Sequence, residues 1–184
     1  MPSKSKRRFP IQPDRYKDLY GFDKEFNAES DRGKVILGAA RLDDLLRELI
    51  AGHLVQDKEM INNLFDGQLQ SLGNKISIAY GMGLITSNER HNLRQIQNIR
   101  NAFAHNLHDI SFDNEWVSSL CEKIKIPENS TIPGAVYSAS QKFRVTVMQL
   151  DFQLQYRIEE AFTHPNSPSD YIWEVSGDGM ASIK

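Results

Sequence analysis

The chain has one cysteine, Cys121, in 184 residues. That excludes an intrachain disulfide and a thiolate cage around a metal within one chain. Long apolar runs are also missing, since no stretch approaches the roughly 20 residues that span a bilayer. The first residues are basic, but no apolar segment follows them, so a secretion signal is not expected and a cytoplasmic setting is. Net charge is only −2, which argues against polyanion binding by overall electrostatics. No alternating strand pattern of any length, internal repeat or low-complexity tract appears. Gly81 and Gly83 follow a helical segment, not a strand, and no Gly-Lys-Ser/Thr ending is present, so they do not make a P-loop. There is no Gly-x-Ser-x-Gly elbow and no placed Cys-His pair to support nucleophilic hydrolysis. His53, His91, His105, His108 and His164 form no His-Glu-x-x-His pattern. Neither a metal nor a cofactor is expected.

What is present is helical periodicity. Ser30 and Asp31 precede a segment in which Val35, Leu37, Ala39, Leu42, Leu45, Leu46, Leu49 and Ile50 give a broad apolar face. Such a face suits either the core or a second copy of the chain. A further helix carries Leu69, Leu72, Ile76, Ala79 and Tyr80, and Gly81 and Gly83 suit its C-cap and a tight turn. Thr86 and Glu89 make a capping box for a helix from near Ser87, with Leu93, Ile96, Ile99 and Phe103 as its stripe. Asp113 or Asn114 caps a short helix bearing Trp116, Val117, Leu120 and Ile124, which Pro127 ends. The last helix runs from about Ser138 to Phe162 on Phe143, Val147, Leu150, Leu154, Arg157 and Ile158, with Phe152 and Tyr156 beside that stripe. The pattern predicts an all-α fold: one compact helical bundle over residues 21–164. A basic flexible arm (1–20) precedes it and an irregular tail (165–184) follows. The Tyr171-Ile172-Trp173 patch in that tail suits folding back or docking a partner.

The chemistry concentrates on the capped helix. At roughly 100° per residue, Arg94, Asn98, Asn101 and His105 share its polar side, while Arg100 falls beside Ile96 and Phe103, where half-burial is expected. Arginine grips phosphate bidentately, and histidine exchanges protons near neutrality. Arg100, Asn101 and His105 are thus the minimum kit for RNA transesterification. Residues five apart on one straight helix point about 140° away from each other, so a kink or a site shared by two copies is required. Lys4, Lys6, Arg7 and Arg8 of the arm, together with Arg94, are the expected RNA-phosphate contacts.

Arg100-Asn101-x-x-x-His105 resembles the Arg, polar residue, then His signature of HEPN domains. That resemblance implies an HEPN-like all-α fold, frequent homodimers and a metal-independent endoribonuclease site, in a toxin or defence setting. A longer stretch also resembles the mannitol operon repressor-like family. It includes Leu64-Phe65-Asp66-Gly67, Leu72-Gly73, Ile78-Ala79-Tyr80-Gly81-Met82-Gly83-Leu84-Ile85 and Ile99-Arg100-Asn101-Ala102-Phe103-Ala104-His105. This second resemblance spans residues 35 to 160 and implies a transcriptional regulator acting through protein contacts. Two expectations follow: an endoribonuclease with Arg100, Asn101 and His105 catalytic and RNA as substrate, or a non-enzymatic regulator with a protein partner.

Overall fold

The computed structural model describes residues 15–106, 110–126, 136–163, 173–175 and 181–183. Among them are seven helices: α1 (Arg15–Ala28), α2 (Asp31–Gly52), α3 (Lys58–Asp66), α4 (Leu72–Gly81), α5 (Ser87–His105), α6 (Glu115–Glu122) and α7 (Ala139–Thr163). A short antiparallel pair follows, β1 (Trp173–Val175) with β2 (Ala181–Ile183), Glu174 opposite Ser182. It lies in the stretch expected to be irregular. Three-residue strands are too short to leave a periodic signature in the sequence.

Local chemistry sets most helix starts. Ser30 accepts from the Gly33 amide, Ser71 from Asn74 and Asn114 from Trp116 and Val117. Thr86 and Glu89 complete the capping box of α5 reciprocally. The end of α4 is equally local. Met82, Gly83 and Leu84 donate back to Ile78, Tyr80 and Ala79, and Gly83 takes the left-handed φ of 71° that this reversal needs.

Two helices exceed the sequence expectation. α1 begins at Arg15, inside the stretch read as an arm, and buries Phe22 and Phe26. α3 starts at Asp57, whose side chain accepts from the Glu59 and Met60 amides, and buries Ile61 and Phe65. Each offers only one buried i, i+4 pair, too little periodicity to stand out.

α2 is the central element, packed against α1, α4, α5 and α7. Leu42, Leu46, Leu49 and Ile50 are fully buried within one chain, each contributing about 1.5–3 kcal/mol of transfer free energy. The broad face that suggested a homodimer contact is therefore consumed internally. Gly38 lets α1 and α7 close on α2, because a Cβ there would lie 3.2 Å from both Phe26 and Val147. An aromatic chain links the layers: Phe26 to Phe143 at 6.3 Å, Phe143 to Phe112 at 5.4 Å and Phe112 to Phe103 at 5.6 Å between centroids. Trp116, Phe152 and Tyr156, by contrast, lie on the exposed side of their helices.

Cys121 is buried, and desolvation pushes its thiol from 9.0 up to about 12, against a smaller lowering by Lys142. The native thiol should resist alkylation at pH 8 and react freely in denaturant. Because the folded state holds this proton more tightly, the thiol's contribution to stability should fall as pH rises from about 9 towards 12. Iodoacetamide labelling followed by mass spectrometry tests the first point; equal native and denatured rates would refute it.

Candidate functional site

The candidate residues sit on the C-terminal half of α5. Ile96, Ile99 and Phe103 are buried, as the stripe predicts, and they fix the orientation of the helix. Arg100 departs from expectation: it is exposed, not half-buried. The reason is visible along one flank of α5. Leu93 is buried, Gln97 is half-buried, and Arg100 and Ala104 are exposed, so this flank emerges from the packing toward the C-terminus. Arg100 donates to Asn101 Oδ1 at 3.2 Å and has no carboxylate partner among the described residues. Asn101 is half-buried, and His105, in the last turn, is exposed.

The helix is continuous from Ser87 to His105. On a straight helix, residues five apart point about 140° from each other. Two cavities among the described residues are lined by other side chains. One of about 210 Å³ lies among Asn88, Glu89, Asn92, Gln153 and Arg157; a more open one of about 510 Å³ lies along α3. Arg100 and His105 are thus both open to the surface, and on ideal helix spacing they do not face the same phosphate.

Two residues that sequence reasoning passed over secure this end of α5. Arg32, at the start of α2, donates to the carbonyl oxygens of Phe103 and, at 2.7 Å, of Asn106. A guanidinium there satisfies orphan carbonyls and complements the negative end of the helix dipole. Its neighbour Asp31 accepts from the Phe112 amide at 3.1 Å. The start of α2 thus holds both ends of the segment that follows His105. No local signal marks such a contact, because the partners lie 71 to 81 residues apart.

The other expected RNA contacts are placed differently. Arg94 is half-buried and committed to Ser77 Oγ at 2.7 Å and Gln97 Oε1 at 2.9 Å. Lys4, Lys6, Arg7 and Arg8 lie outside the described residues, as do His108 and Tyr171-Ile172. His91 is engaged with the Lys123 carbonyl at 2.7 Å, and His53 with that of Leu49 at 2.9 Å. Among the described residues no three His, Cys, Asp or Glu side chains gather as a metal site, and no helix is long and apolar enough to cross a membrane.

No family model matches the chain, and a comparison with curated proteins gives no match. A comparison with solved structures gives a chain from the X-ray structure of the MtlR-HPr complex of Escherichia coli. The superposition has a TM-score of 0.53 at 15% identity and covers 78% of this chain and 98% of the other. The bundle described above is therefore a mannitol repressor-like fold.

Proposed function

We propose that this chain is a non-enzymatic regulator that acts by binding another protein. The observation that carries the reading is the fold likeness itself. It extends over 98% of a chain that was solved as a protein complex, MtlR with HPr. The position of the two side chains supports it, because Arg100 and His105 are both exposed and lie five residues apart on one continuous helix. By this reading α5 contributes surface charge and not a reaction centre, and transcriptional regulation is exerted through the bound partner. Calorimetric titration of the purified chain with HPr from its own organism tests it. Saturable one-to-one heat is expected, and an absence of heat at high micromolar concentrations of both proteins would overturn the pairing.

A second reading has one observation in its favour: Arg100 is exposed and lacks a carboxylate partner among the described residues. Two copies of the chain could then pair their Arg100, Asn101 and His105 sets across a two-fold axis into an endoribonuclease site, with RNA as substrate. Histidine would take the 2′-hydroxyl proton as that oxygen attacks phosphorus, a proton would pass to the departing 5′ oxygen, and arginine would hold the charged phosphate. Arg94 and the arm residues would contact neighbouring phosphates. His105→Ala should then abolish cleavage while changing stability by only about 0.5 kcal/mol, as for other exposed positions. Arg100→Lys should not restore activity, since a point charge lacks the planar fork. Wild type and His105→Ala that both leave structured and single-stranded RNA intact would exclude this reading, and a monomer mass by light scattering would exclude its shared site.

A further inference from the structure

From Gly67 to His108 the sequence holds one acid, Glu89, and four bases, Lys75, Arg90, Arg94 and Arg100. Folding withdraws Glu89 and Lys75 from the surface. Glu89 is buried against Arg157 at 2.8 Å, and Lys75 is buried against Asp43 at 2.7 Å. The charge that α4 and α5 leave outside is therefore entirely positive.

Two of the arginines reach from α5 onto α4. The Arg90 guanidinium lies 4.6 Å from the centre of the Tyr80 ring, and Arg94 donates to Ser77. At roughly 100° per residue, the order around α4 is Tyr80, Ser77, Gly81, Ile78, Met82. Tyr80, Ile78 and Met82 are 39%, 42% and 41% exposed. Between them Ser77 and Gly81 are small and exposed, and a Cβ at Gly81 would meet nothing within 4 Å. The face thus carries arginines and a tyrosine along one side and Ile78 and Met82 along the other, with the small residues Ser77 and Gly81 between them.

We infer that this α4–α5 face docks an acidic, apolar protein segment, one that sets Asp or Glu against Arg90 and Arg94 and an aliphatic or aromatic side chain against Ile78 and Met82. The inference rests on the protein-binding reading above and names the surface that performs it. Charge complementarity selects acidity. The apolar row selects protein over nucleic acid, because a phosphate backbone would engage the arginines and leave Ile78 and Met82 uncovered. Arginine, tyrosine and methionine are also the residues enriched at protein interfaces. The ring and hydroxyl contacts of Arg90 and Arg94 pre-position them, which lowers the entropy lost on docking.

Panning a displayed library of short peptides on the full chain tests this, with the best peptide remade as a fluorescent probe. Enriched peptides are expected to combine Asp or Glu with Leu, Ile or Phe. The probe should bind about tenfold more weakly to Arg90→Glu and to the Ile78→Ser/Met82→Ser double variant. Circular dichroism should report both variants folded; if the double variant is not, Arg90→Glu alone decides. No enrichment, enrichment of basic or neutral peptides, or unchanged affinity for Arg90→Glu would overturn the inference. Displacement of the probe by an equimolar single-stranded RNA would overturn it in favour of nucleic acid. HPr titrated against the same variants separates the two levels. HPr binding that ignores Arg90→Glu sinks this surface and leaves the regulator reading intact. Probe binding without HPr binding sinks that pairing and leaves the surface intact.

Discussion

Arg41→Ala is expected to lower the unfolding free energy by about 3–5 kcal/mol, the cost of leaving a buried charge unpaired. Arg41 Nε donates to Asp151 Oδ2 at 2.9 Å, and the Asp151 side chain is wholly buried. Gln155, one turn along α7, donates to the other oxygen, Oδ1. Truncating the arginine leaves the Asp151 carboxylate inside the α2–α7 contact with one neutral donor, Gln155, among the described residues. It also removes a guanidinium that lies 5.5 Å from the centre of the Phe22 ring, so the docking of α1 loosens as well. Asp151→Asn in the same background should restore much of the loss, because a neutral amide carries a far smaller desolvation penalty than a carboxylate. Urea unfolding at neutral pH measures both variants. A loss under about 1 kcal/mol for Arg41→Ala would show that Asp151 is not left unpaired in the core when the arginine is removed.

Glu89→Ala should cost about 3 kcal/mol, because one carboxylate does two separable jobs. Glu89 Oε2 accepts from the Thr86 amide at 2.7 Å and completes the capping box of α5. Its Oε1 faces Arg157 of α7 at 2.8 Å, with Glu89 only 7% exposed and Arg157 27%. Glutamine also serves at the third position of a capping box. Glu89→Gln should therefore keep the start of α5 and lose the ion pair. The difference between the two variants isolates the cap, at about 0.5–2 kcal/mol. If both lose the same amount, the cap contributes nothing to stability and the pair carries the whole effect. Amide exchange at residues 87–90 supplies a second readout, faster in Glu89→Ala than in Glu89→Gln.

These two clusters mark the boundary of what a linear reading reaches. Glu89 is recognisable in the sequence as a capping residue, yet its ion pair is not, because Arg157 is 68 positions away and reads as a member of an apolar stripe. Asp151 stands one residue beyond Leu150 in the same stripe and carries no mark of being the most buried acid on α7. The candidate site divides similarly. The motif Arg100-Asn101-x-x-x-His105 and its divergence around the helix follow from spacing alone. The exposure of Arg100 does not, since it depends on which flank of α5 runs free of its neighbours.

By itself the sequence determined the all-α class, the starts of α2, α5 and α6, and the buried stripes of α2, α5 and α7. Caps and i, i+4 periodicity act within a few residues, so the chain carries them wherever it goes. α1 and α3 escaped it, each with a single buried i, i+4 pair. α3 has nine residues, below the length at which a helix is stable alone, and exists because Ile61 and Phe65 find the core. Tertiary structure alone decided that the broad face of α2 closes on α4, α5 and α7 within one chain, that Arg32 grips the end of α5, and that Glu89 and Lys75 are withdrawn from the surface of α4 and α5. A helical wheel sets the angle at which each side chain leaves its helix. Whether water, a core or an opposite charge waits at that angle depends on how helices far apart in the chain are brought together.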